Sequence, residues 1–152
     1  MAVTYLVFWL FTIIGVFVSY LASIFTHNLF GIPSNVQFYE LGLVGIAAQL
    51  TLLALPFATG AFVAGLQFSD WSNRVISNRG ILKFATIIGL SVLALTLPLF
   101  VLSGVWFGII QGPAWMGLLI SVAIILGPPL FATFIVWMVF LTTVRARASR
   151  RD

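Results

Sequence analysis

His27 and Glu40 are the residues of this chain best suited by type to proton transfer, and they bracket one hydrophilic stretch, THNLFGIPSNVQFYE. An imidazole and a carboxylate within hydrogen-bond reach make a general acid–base pair or half of a metal site. No nucleophile motif, phosphate loop or metal-ligand spacing accompanies them. Asp70 with Arg74 and Arg79 is the other charged constellation, and the absence of cysteine removes thiolate ligands, disulfides and thiol nucleophiles together. Both groups are therefore read as solvated interfacial residues. The chain is expected to be no enzyme and to carry no cofactor or metal; a membrane enzyme built on His27 and Glu40 is the third-ranked reading.

A second constellation rests on backbone chemistry. In IILGPPLF, Pro128 has no N–H for the Ile124 carbonyl and Pro129 none for that of Ile125, and the pair opposes helical geometry at Gly127. A kink or full break is expected there, rich in acceptors and poor in donors. Such a gap suits a cation, a water or a side-chain donor and rejects an anion. With about 1.5 Å of rise per residue, Gln49 and Ile124–Ile125 both lie about 14 Å below an interface marked by Glu40 and Trp115. Ser19 and Thr96 count to a similar level. Ser19, Gln49, Thr96, Ile124, Ile125, Gly127, Pro128 and Pro129 thus form a candidate polar layer, closed by the Gln49 amide or occupied by a permeant species. Pro56 and Pro98 fall near the middles of their own segments and are expected to kink or break them as well.

The elements that must position these residues follow from composition. The 152 residues are 62% hydrophobic and 7% charged, against roughly 25% charged in soluble domains, so the solvent for most of the surface is a bilayer. A spanning helix needs about 20 mostly apolar residues, and about Val3–Phe25, Leu41–Leu66, Phe84–Phe107 and Trp115–Thr143 qualify. The first is read as an uncleaved anchor, because its apolar run exceeds a signal-peptide core of about 7–15 residues. The expected fold is an all-α integral membrane protein, a four-transmembrane-helix bundle over residues 1–144 with a basic cytoplasmic tail over 145–152.

Orientation is read from charge. Arg74, Arg79 and Lys83 lie in the link between the second and third spans, and Arg145, Arg147, Arg150 and Arg151 in the tail. All seven basic residues share one side, which places both termini in the cytoplasm of a cell (inner) membrane or in an organelle's interior. The same seven are the expected contacts to anionic lipid head groups. Tyr5, Trp9, Trp71 and Trp137 fall near the inner interface and Tyr39, Trp106 and Trp115 near the outer one, as two aromatic belts.

Helices in lipid associate where small residues let backbones approach. Ala47, Thr51, Ala54, Ala58, Ala61 and Gly65 recur at spacings of four and three along the second span, a left-handed packing seam. Gly42, Gly45, Gln49, Pro56 and Gly60 lie nearly opposite. Thr12, Gly15, Ser19, Ala22 and Thr26 repeat the pattern in the first span, and Ala85, Gly89, Thr96 and Ser103 in the third. A shift of 72 positions also aligns Gly42, Gly45, Gln49 and Pro56 with Ala114, Gly117, Ser121 and Pro128, a weak internal repeat. The leading expectation is a non-enzymatic subunit of a homo-oligomer or larger membrane complex, with lipids and other membrane subunits as partners and no nucleic acid. The alternative is a channel, holin-like pore or small transporter whose path crosses the polar layer.

Overall fold

The computed structural model describes residues 2–33, 35–71, 77–102 and 113–148. Arg74, Ser103, Trp106, Arg150 and Arg151 lie outside them. Among the described residues the chain is all helical: α1 (Ala2–Leu29), a 3-10 turn (Phe38–Leu41), α2 (Gly42–Trp71), α3 (Asn78–Leu102) and α4 (Ala114–Ala148). All four α-helices are long and apolar enough to cross a bilayer. Each begins or ends beyond its apolar span, because hydropathy marks the hydrocarbon layer while the helix can continue into the interface. Gln67, Ser69 and Asp70 thereby join α2, Arg79 and Lys83 join α3, and Arg145 and Arg147 join the last turn of α4.

None of the three proline-containing helices is broken. α2 runs through Pro56, α3 through Pro98 and α4 through Pro128-Pro129. Proline costs each helix a ladder bond and crowds the preceding turn, losses that membrane helices tolerate when neighbours and hydroxyls re-satisfy the backbone. The full break that the sequence allows at Gly127 is therefore not formed.

Two compact units are present, Met1–Val75 with Met138–Asp152, and Ile76–Trp137. In the first, α1 and α2 pack antiparallel: Gly15 faces Pro56, and Phe8 and Thr12 face Gly60 one turn further along α2. The buried positions of α1 are Thr4, Phe8, Thr12 and Gly15, so the expected α1 seam extends toward the N-terminus and is strongest there. Ser19, Ala22 and Thr26 are half-buried. The end of α4 lies parallel to the end of α2, with Gly65 against Thr143, the Phe68 and Phe140 rings 6.2 Å apart, and Asp70 joined to Arg147.

The same unit holds the turn into α2. Just past α1, Gly31 has a φ of 63°, which lets the Ile32 N–H return to the His27 carbonyl at 2.9 Å. The 3-10 turn then folds its Phe38 carbonyl so tightly onto Gly45 that a Cβ there would overlap the oxygen.

The second unit has its own buried set, Ile81, Phe84, Ala85, Ile88 and Val92 on α3 with Ala132 and Val136 on α4. Its close approach is Gly89 of α3 against Pro129 and Thr133 of α4. Ala85 and Gly89 of the expected α3 seam are buried and Thr96 is half-buried.

Candidate functional site

Five threonine hydroxyls inside the helices follow one rule. Thr12 donates to the Phe8 carbonyl at 2.8 Å, Thr26 to Ala22 at 2.7 Å, Thr51 to Ala47 at 2.8 Å, Thr59 to Leu55 at 2.8 Å and Thr133 to Pro129 at 2.8 Å. Bonding back to the residue four positions earlier satisfies a hydroxyl without any partner helix. It lets threonine serve as a small packing residue in an apolar setting.

The polar layer expected from sequence divides between the two units. Ser19 and Gln49 belong to the first, and Thr96 with Ile124–Pro129 to the second. Thr96 Oγ1 donates to its own helix at the Leu93 carbonyl, 3.3 Å away. Gln49 and Ile125 are half-buried, while Ile124, Gly127 and Pro128 are exposed. A Cβ on Gly127 would meet nothing within 4 Å. Pro129 is buried, and its carbonyl accepts the Thr133 hydroxyl and lies 3.0 Å from where a Cβ on Gly89 would stand. Within its own unit, the second proline of the Gly-Pro-Pro element is a packing surface.

Ser19 breaks the hydroxyl rule. Its Oγ is buried without a hydrogen-bond partner among the described residues, as are Gln67 Oε1 and Ser69 Oγ. A buried polar atom left unpaired costs about 1–3 kcal/mol. Gln67 and Ser69 are absent from the sequence-derived set because they read as part of the hydrophilic link after the second span. The seam gave no signal for them, since its alternating spacing continues from Gly65 to Phe68 rather than to Gln67 or Ser69.

His27 is placed by α1 and held by the link that follows it. Its Nδ1 lies 2.9 Å from the Ser23 carbonyl and its Nε2 3.1 Å from the Val36 carbonyl, while the ring stands 4.3 Å from the Phe38 ring. Both ring nitrogens thus lie on carbonyl oxygens. A neutral imidazole has one N–H and donates to one of the two at a time, whereas an imidazolium donates to both. The arrangement ties the link to the helix and does not present the ring as a free base toward the exposed Glu40. Among the described residues no cluster of three or more His, Cys, Asp or Glu side chains assembles a metal site.

Asp70 takes a partner that the sequence reading did not give it. Arg147 donates from Nε at 3.2 Å and from Nη2 at 3.0 Å, both to Asp70 Oδ1. Helix continuation explains the difference: carrying α2 to Trp71 and α4 to Ala148 brings together two residues 77 positions apart in sequence. Of the expected lipid-contact residues, Arg79, Lys83 and Arg145 are exposed at helix ends.

Four apolar helices of bilayer-crossing length, with hydroxyls turned onto their own backbones, define the class: a multi-pass helical membrane protein. Compared with models of protein families, with curated proteins and with solved structures, the chain matches none.

Proposed function

We propose that the chain is a non-enzymatic membrane subunit that assembles with copies of itself or with other membrane proteins. One observation carries this reading, the uneven cover of a single α2 face. Ala61 and Gly65 are buried within the chain, Ala54 and Ala58 are half-buried, and Ala47 and Thr51 are exposed. The spacing of small residues continues along the whole face. In lipid, a small side chain gains little from acyl chains and much from a helix backbone at close range, so the exposed half suits a neighbour from another polypeptide. In this reading both termini face the cytoplasm, and the seven basic residues meet anionic head groups of a cell membrane.

The absence of native cysteine makes a direct test available. A photo-activatable cross-linker on the single thiol of Ala47→Cys should yield adducts larger than the 16.6 kDa chain in native membranes, and the same reagent at Ala61→Cys should not. Chain-sized product alone from both positions contradicts the proposal.

A pore or small transporter is the second reading, supported by the unpaired Ser19 hydroxyl. A buried oxygen without a protein partner suits a water or a permeant species, as would the Gln49 amide of the same unit. Solute or ion flux into reconstituted vesicles tests it. Gln49→Leu should change that flux, and no flux under any gradient removes the reading.

A further inference from the structure

The start of α3 and the middle of α4 enclose a cleft of about 250 Å3 lined by Asn78, Arg79, Leu82 and Trp137. We propose that this cleft binds one acidic phospholipid, with its phosphate on Arg79 and an acyl chain along Leu82 and the Trp137 ring. It deepens the lipid contact of the proposed function, replacing a diffuse contact with one site, and needs only the bilayer location from that reading.

The argument is one of charge and wall chemistry together. Between Ile76 and Trp137 the sequence contains Arg79 and Lys83 and no Asp or Glu. Arg79 and Lys83 stand four positions apart on one helix face, and both are exposed. No carboxylate of this unit competes for either cation. A guanidinium offers a fork of donors that matches phosphate oxygens. Leu82, between the two cations in sequence, is half exposed, and Trp137 supplies an aromatic wall at the same cleft. Tryptophan favours the head-group level, where one end of the ring is apolar and the other wet. A free inorganic anion would use the cations and leave the Leu82–Trp137 wall unused. A zwitterionic lipid would bring its own cation against Arg79 and Lys83.

Native mass spectra of the protein in mild detergent, titrated with phosphatidylglycerol, phosphatidylcholine or inorganic phosphate, test the assignment. One retained phosphatidylglycerol per chain is expected, bound at least about fivefold more tightly than phosphatidylcholine, with no retained phosphate. Arg79→Gln should weaken it about five- to tenfold, a loss on the scale of one cation at a lipid surface, while Gln37→Ala, at an exposed position outside the cleft, should leave it unchanged. Equal binding of both lipids, equal loss in the two variants, or retention of phosphate alone would each overturn the site. The same spectra read the oligomeric state independently, so loss of the lipid site and loss of the subunit reading are distinguished.

Discussion

Gly15 of α1 lies so close to Pro56 of α2 that a Cβ on the glycine would stand 2.7 Å from the proline Cα. The contact is backbone on backbone, so neither side has a rotamer with which to yield. A related pair occurs in the second unit, where Gly89 of α3 faces Pro129 of α4. In each unit, the position one helical turn after the proline joins the contact: Gly60 after Pro56 and Thr133 after Pro129. Pro56 and Pro129 thus each mark a close approach of the neighbouring helix within their own unit, whereas Pro98 and Pro128 are exposed.

Gly15→Ala is therefore expected to destabilise the protein by about 1–3 kcal/mol, the usual range for an overpacked contact. Gly89→Ala should cost less, because the nearest obstacle is the rotatable Thr133 hydroxyl group. Gly127→Ala, in open space on α4, should be neutral or stabilising by up to about 1 kcal/mol, the helix-propensity difference. Unfolding in mixed detergent micelles ranks the three, and a Gly127 variant as damaging as the Gly15 variant would contradict this packing.

The His27 side chain joins α1 to the link that precedes the 3-10 turn. His27→Ala should release the Val36 carbonyl and the Phe38 ring contact, loosening the link by about 0.5–1.5 kcal/mol for the lost hydrogen bond. His27→Phe keeps a ring against Phe38 and discards the bonds, so it should recover part of the effect. Hydrogen exchange at Val36 and Phe38 reports this locally, and unchanged exchange in both variants would refute the clasp.

Asp70 and Arg147 bind each other while 46% and 41% exposed. At that exposure an ion pair contributes about 0–1 kcal/mol. Asp70→Asn and Arg147→Gln should each cost no more than that, and a double-mutant cycle should return a coupling within the same range. A coupling of several kcal/mol would mean that the pair is shielded by something beyond the chain itself.

Ser19→Ala removes a buried hydroxyl that has no partner. With nothing bound there, the change should stabilise the protein by about 1 kcal/mol. A loss of stability would show that the hydroxyl is satisfied by a bound species, and would move weight to the pore reading.

Hydropathy carried the four spans openly, because about 20 apolar residues in a row have no soluble explanation. Helix ends were less legible. Nothing in the composition of QFSDWSNRVISNRGILK separates Gln67–Trp71, which continue α2, from Ser77, which caps α3 by accepting the Gly80 N–H at 3.3 Å. The Asp70 partner was hidden for the same reason, since it depends on where two helices stop. Small-residue periodicity singled out Ala47, Thr51, Ala54, Ala58, Ala61 and Gly65 as the α2 seam and set Pro56 and Gly60 on the face nearly opposite. Pro56 and Gly60 on the other face make the tighter contact, through backbone shape that a residue-type pattern does not record. The internal repeat shows the same limit: sequence pairs Pro56 with Pro128, whereas the packed counterpart is Pro129.

The central claim is that the exposed half of the α2 face, at Ala47 and Thr51, is an assembly surface. Native mass measurement of wild type and of Ala47→Leu/Thr51→Leu, both extracted in mild detergent, tests it most directly. Wild type should run as a complex larger than the 16.6 kDa chain, and the double variant as a folded monomer, since neither position is buried within the chain. A stable, partner-free wild-type monomer, or a double variant that keeps the wild-type mass, would contradict the account.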